Sequence, residues 1–308
     1  MRRLFGILVV LAVIVAVVLW FLSAPGTLDE AEFAGLGEPD LARGEEMFWA
    51  GGCASCHAAP GAKGDDKLLL TGGLAIKSDF GTFYAPNISP DTSAGIGDWT
   101  FAQFANAMKK GTSPQGTHLY PSFPYTSYTR IAMADLNDMW GYLLTLPASD
   151  NVALQHELGF PFNIRRAVGL WNLLYLRDVP VMNFSSPDDQ LSRGQYLVEG
   201  PGHCGECHTP RSLIGGLELG EWLAGATNPD GEGIIPNITP DGSIKDWSAG
   251  DIAYYLESGF TPDFDTVGGS MVSVQENMAK LPASDREAIA AYLKAIPGRP
   301  NGYPARSD

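Results

Sequence analysis

The sequence predicts an all-α protein: two tandem helical domains behind one N-terminal transmembrane helix. Three observations carry this reading. The chain opens on a long uncharged apolar run, a set of short motifs appears twice in the same order, and around those motifs apolar residues fall at helical rather than alternating spacing. Composition agrees. Hydrophobic residues make up 45%, enough for packed cores, while 36 glycines and 22 prolines imply short elements joined by long turns. With 20 basic against 35 acidic residues the formal charge is −15, which argues against nucleic-acid binding, because phosphate recognition needs clustered Lys and Arg. Four cysteines are too few for a disulfide-stapled scaffold.

Arg2 and Arg3 precede an apolar run from Leu4 to Leu22, with Trp20 and Phe21 at its far end, where interfacial aromatics belong. At a rise of about 1.5 Å per residue the run nearly spans a hydrocarbon core of about 30 Å. The alternative is a cleaved signal peptide. Cleavage after Ala24 would leave Pro25 at the new N-terminus, with bulky Leu22 two residues before the cut. An uncleaved anchor over 1–22 is therefore expected, its arginines holding the N-terminus in the cytoplasm and everything beyond it exported. A linker over 23–39 follows.

The rest is a duplication. Arg43-Gly44 recurs as Arg193-Gly194, Cys53-Ala54-Ser55-Cys56-His57 as Cys204-Gly205-Glu206-Cys207-His208, and Pro86-Asn87-Ile88-Ser89-Pro90 as Pro236-Asn237-Ile238-Thr239-Pro240. Asp98-Trp99 matches Asp246-Trp247, and Gly141-Tyr142-Leu143 matches Ala291-Tyr292-Leu293. The copies span 40–147 and 188–297. Each predicts a helix before the cysteines (40–50 and 188–198, capped by Asp40 and Asp188), a second at 100–110 and 248–258 behind Thr100 and Ser248, and a closing helix at 133–146 and 283–295. Between the copies, 148–187 is too apolar for a floppy linker and reads as an ordered bridge with a helix at 164–176. A tail covers 298–308.

The Cys-x-x-Cys-His motif marks covalent haem attachment. Two thiols three residues apart reach the two vinyl groups of one porphyrin, and the adjoining histidine points at the iron. Structural zinc wants four closed ligands, and each copy offers only two cysteines and a histidine. A redox CxxC wants a βαβ context, and disulfides leave the two following histidines unexplained. Two covalently bound c-type haems are expected, on Cys53 and Cys56 with His57 as iron ligand, and on Cys204 and Cys207 with His208.

Both copies resemble class I cytochrome c domains, in which the glycine of the first helix (here Gly44 or Gly194) lets the closing helix, with Tyr142 or Tyr292, cross at close range. The chain over about 40–297 resembles the membrane-anchored multihaem cytochrome c subunits of periplasmic alcohol, gluconate and aldehyde dehydrogenases. The stretches from Leu119 to Tyr128 and from Gly200 to Arg211 carry the likeness. Those subunits often hold three haems; two motifs here make a dihaem variant. The resemblance implies a distal methionine ahead of the closing helix, which is Met271 in the second copy, with Met278 as second choice. In the first copy such subunits often place a methionine within Tyr-Pro-x-x-Pro-Tyr, where this chain has Phe123. Aligning the copies through their closing helices sets Met271 opposite Pro121 and makes His118 the expected ligand. Tyr120, Met133, Met108 and an open iron remain alternatives. Arg211 is either a haem-propionate partner or solvated. His203 is expected to be solvated or to touch a propionate, and His156 to be a surface or packing residue. Trp99 and Trp247 belong either to a haem edge or to the core.

The implied function is electron transfer from a periplasmic dehydrogenase to a membrane oxidase, a quinone-linked complex or a soluble cytochrome. The protein would sit in the inner membrane with its domains in the periplasm. Its acidic surface suits transient docking on a basic patch. The rival is a haem enzyme with an open or unusual first haem, of peroxidase or thiosulfate-oxidising type. A haem-bearing structural or assembly subunit is a third reading.

Overall fold

The computed structural model describes residues 2–228 and 233–299, so most of the expected tail lies outside the described residues. The chain starts with α1 (Arg2–Leu22), whose side chains touch almost nothing else in the protein. It is long and apolar enough to cross a membrane. Residues 23–39 are not a loose linker. Leu28 is buried, its N–H donates to Asn106 Oδ1 at 2.7 Å, and Phe33 packs edge-on against Phe101.

The first copy follows as α2 (Leu41–Ala50), α3 (Cys53–His57), a hairpin of β1 (Ala75–Ser78) and β2 (Gly81–Tyr84), α4 (Phe101–Lys110), the short α5 (Tyr125–Tyr128) and α6 (Met133–Leu143). The bridge contributes β3 (Glu157–Leu158) and α7 (Ala167–Tyr175). The second copy runs α8 (Asp189–Glu199), α9 (Gly205–His208), β4 (Ala226–Thr227), β5 (Ile234–Ile235), α10 (Ala249–Ser258), α11 (Met271–Met278) and α12 (Ala283–Ala295). The architecture is mostly helical, as expected, but the strands correct the strictly all-α reading. They are two to four residues long, too short to show alternation, and β3 reaches back from the bridge to pair with β2.

Local chemistry sets the helix starts. The side chains of Asp40, Thr100, Asp188 and Ser248 each accept a backbone N–H of the first turn. In each copy the first and closing helices cross at a glycine: a Cβ on Gly44 would collide with the Asp138 carbonyl of α6, and one on Gly194 with the Ala288 carbonyl of α12. The arginine before each glycine locks the crossing. Arg43 Nε donates to Asp138 at 2.5 Å, and Arg193 grips Asp285 through two nitrogens at 2.9 and 2.6 Å. Trp99 and Trp247 both pack against the core.

Candidate haem-attachment site

Each Cys-x-x-Cys-His stretch is launched by a residue in the left-handed region: Gly52 at φ 65° before Cys53, and His203 at φ 40° before Cys204. Glycine takes that conformation freely; a histidine there is held by its surroundings. The histidine after each cysteine pair is then fixed the same way twice. His57 Nδ1 lies 2.8 Å from the Pro86 carbonyl, and His208 Nδ1 lies 2.8 Å from the Pro236 carbonyl. A carbonyl only accepts, so Nδ1 carries the proton and the Nε2 lone pair is free, which is the tautomer an iron ligand needs. The Gly72 and Gly225 N–H groups hold the histidine carbonyls, each at 2.7 Å.

The repeated Pro-Asn-Ile stretches explain themselves here. Asn87 Oδ1 accepts from the Ser89 N–H, and its Nδ2 donates to the Ser149 and Asn151 carbonyls. Asn237 does the same with Thr239 and the Arg299 carbonyl. The asparagine fixes the loop that presents the proline carbonyl to the ring. The repeat was visible in the sequence; its role as second partner of the histidine was not, although a motif repeated along with the ligand was the available signal.

Burial pushes the pKa of both histidines down, against the carbonyl bonds that push them up. Burial also pushes the Cys53 and Cys204 thiols up to about 12, and raises Cys56 and Cys207. Neutral imidazoles suit iron binding. All four cysteines are unpaired, and among the described residues no group of three or more His, Cys, Asp or Glu is arranged to hold a metal ion. The donor set therefore fits haem: in each copy two thiols for the vinyl groups and one imidazole with its Nε2 free.

The two attachment loops face each other. Asn277 Nδ2 of α11 donates to Ser55 Oγ between the first cysteines at 2.8 Å. In return, Thr126 and Ser127 of α5 donate to Glu206 Oε1 between the second cysteines at 2.9 and 2.7 Å. His203, expected at the surface or on a propionate, stands edge-on to Tyr128 at 5.3 Å and closes over Gly52. Tyr128 in turn donates to the Gly51 carbonyl at 2.5 Å. Burial pushes the Glu206 carboxyl up, but Arg211 and the two hydroxyls outweigh it and hold the group below its ordinary pKa. Arg211 is accordingly occupied. Its Nη2 donates to Glu206 and its Nη1 to the Gly215 carbonyl, so it braces the attachment loop; it is not the solvated residue that was one of its two expected readings.

On the distal side, Met271 begins α11 and packs half-buried against the core, while Met278 is buried within it. Matching hairpins fix the register between the copies. Thr112 pairs with His118 as Phe260 pairs with Thr266, and the Leu119 N–H donates to the Gly111 carbonyl as that of Val267 does to Gly259. Counting on from these pairs, Phe123 takes the place of Met271, and His118 that of Thr266. This corrects the alignment to Pro121. It also turns His118 elsewhere: Nε2 lies 2.8 Å from the Ser23 carbonyl, the ring lies against Gly169 of α7, and Nδ1 is buried with no partner among the described residues. His156, read as a surface or packing residue, accepts the Tyr84 N–H and packs on Phe83 and Tyr120.

Paired thiols beside an imidazole with a free Nε2 define a c-type cytochrome. A family model for cytochrome c matches residues 41–147. The chain is 53% identical to a dihaem c-type cytochrome of Cereibacter sphaeroides over 91% of its own length and 93% of the relative's. It is 35% identical to the fructose dehydrogenase cytochrome subunit of Gluconobacter japonicus, covering 85% of this chain and 53% of that one. It is 33% identical to the cytochrome c subunit of a quinone-type alcohol dehydrogenase of Gluconobacter oxydans, covering 85% of this chain and 56% of that one. The chain belongs to the family of dihaem c-type cytochromes, is similar to cytochrome c subunits of dehydrogenases, and transfers electrons through covalently bound haem c.

Proposed function

We propose that this chain carries two haems in two tandem class I cytochrome c domains, 40–147 and 188–297, and relays electrons from a periplasmic dehydrogenase to the respiratory chain. The acceptor would be a membrane oxidase, a quinone-linked complex or a soluble cytochrome. The supporting observation is the doubled attachment loop with both Nε2 atoms free and each loop hydrogen-bonded to a helix of the other copy. A haem at each loop supplies a one-electron couple. The chain's own residues hold the imidazoles in one tautomer and set the two attachment points side by side. In this reading α1 anchors the protein in the inner membrane, with the domains on the periplasmic side. The donor would oxidise a small organic substrate, as the names of the fructose and alcohol dehydrogenase relatives suggest. Purification of the full chain from solubilised membranes tests this. A dehydrogenase should accompany it, and adding that enzyme's substrate should reduce both haems. Haems that stay oxidised with every co-purifying dehydrogenase would overturn the reading.

The second haem would be held by His208 and Met271. Met271→Ala should abolish the weak near-infrared sulfur-to-iron band and lower that haem's potential, since a thioether favours reduced iron. A band that persists would reject the ligand.

Phe123 at the place of Met271 favours a second reading of the first haem, in which its distal side has no side-chain ligand from that hairpin. His118→Ala should then leave the low-temperature electron paramagnetic resonance spectrum of the first haem unchanged, and carbon monoxide should bind the reduced wild type at one haem. Such a site keeps the peroxidase alternative open to test. The thiosulfate type is less favoured, because both cysteine pairs are committed to haem. A changed spectrum in His118→Ala would restore His118 as the ligand.

A further inference from the structure

Asn172 is the one polar side chain of α7 apart from the amphipathic rings of Trp171 and Tyr175. A helix so apolar all round is ordinarily buried on every side. Here Val168 and Gly169 are covered, while Leu173 and Leu174 are 58% and 55% exposed. The exposed surface extends beyond the helix. Phe162 packs on Phe80 at 4.9 Å, Phe80 lies against Gly215, and Trp171 Nε1 donates to the Ile214 carbonyl at 2.8 Å. That joins α7 to the 212–216 turn, where Leu213 is fully exposed and Ile214 half so. One apolar face therefore runs from Phe162 through α7 to Leu213, larger than scattered surface leucines would make.

Its position says what covers it. Arg166 pins the start of α7 to the end of α1: the guanidinium stacks on Trp20 at 4.3 Å and donates to the Trp20 carbonyl at 2.5 Å and to Ser23 Oγ at 3.0 Å. The face thus begins where the apolar helix ends. Its charge is also set apart. Between Glu157 and Asp178 the segment carries Arg165, Arg166 and Arg177 and no carboxylate, in a chain of formal charge −15. We propose that this face lies on the lipid leaflet from which α1 emerges, with Phe162, Leu173, Leu174 and Leu213 among the acyl chains and the exposed Arg177 at lipid phosphates. An apolar face rimmed by cations is the composition of an interfacial membrane element. The proposal rests on the reading of α1 as an anchor. It would hold the attachment loops at a fixed height and orientation above the bilayer instead of on a swinging tether.

The test uses the haem-loaded full chain in nanodiscs of phosphatidylcholine and phosphatidylglycerol. Haem consumes the native cysteines, so a single introduced cysteine takes a nitroxide label uniquely. Labels at Leu174→Cys and Leu213→Cys should be several-fold less accessible to a water-soluble nickel chelate than a label at Phe264→Cys, and more accessible to oxygen. A label at Leu11→Cys reports the anchor itself. If Leu11 is in the bilayer while 174 and 213 are as nickel-accessible as 264, the proposal fails alone. If Leu11 is also in water, the anchor reading fails and takes the proposal with it. Protection of 174 and 213 only after a dehydrogenase is added would overturn the proposal in favour of a protein interface.

Discussion

Cys204→Ala combined with Cys207→Ala should yield a protein with one covalent haem, and so should Cys53→Ala combined with Cys56→Ala. Intact mass would fall by one haem in each, and a redox titration with two steps in the wild type would keep one. The effect is all-or-none, because each pair supplies both thioether bonds to its own porphyrin. The remaining haem should survive, since each histidine has its own proline carbonyl: Pro86 for His57 and Pro236 for His208. Each loop does bond to the other copy, Ser55 to Asn277 of α11 and Glu206 to Thr126 and Ser127 of α5. The potential of the surviving haem should therefore shift relative to the wild-type step. Any wild-type count other than two haems sinks the dihaem reading. Loss of both haems from either double variant would show that neither attachment forms without the other.

What was legible in the sequence was local or repeated. Asp40, Thr100, Asp188 and Ser248 announced helix starts because a capping side chain acts within its own first turn. Gly44 and Gly194 announced the crossings through the resemblance to class I cytochrome c domains, in which the first-helix glycine admits the closing helix. What was not legible depended on partners far along the chain. His203 has no pattern that marks it as a wedge, since the residue it covers, Gly52, lies in the other copy. Arg211's partner Glu206 could not be told from the sequence, because the hydroxyls that make that carboxylate's site polar come from α5. The register error at His118 has a physical source as well. The segment between the distal hairpin and the closing helix is longer in the second copy, where α11 replaces the short α5, so an alignment carried back from the closing helices slips. Hairpin pairing, not distance from a helix, fixes which side chain stands at that position.

Gly194→Ala and Gly250→Ala should change stability in opposite directions. Both glycines sit in helices, where alanine is intrinsically favoured by up to about 1 kcal/mol. At Gly250, in the exposed first turn of α10, an added Cβ meets only Ser248 Oγ at 3.6 Å. Propensity then decides, and the variant should gain about 0.5 kcal/mol. At Gly194 the Cβ would overlap the Ala288 carbonyl, a backbone atom in the closing helix that no rotamer change can move. Relief means parting α8 from α12, which carries Tyr292, whose hydroxyl donates to the buried Glu199 at 2.7 Å and accepts from Trp222 at 3.0 Å. Overpacking of this kind costs about 1–3 kcal/mol and outweighs the propensity gain. The same parting would loosen Arg193 on Asp285, so the loss should fall toward the upper end of that range. Thermal or denaturant unfolding of the haem-loaded full chain in detergent, followed by circular dichroism, reads both variants on one scale. A Gly194→Ala protein no less stable than Gly250→Ala would show that the crossing is not as close as its geometry makes it.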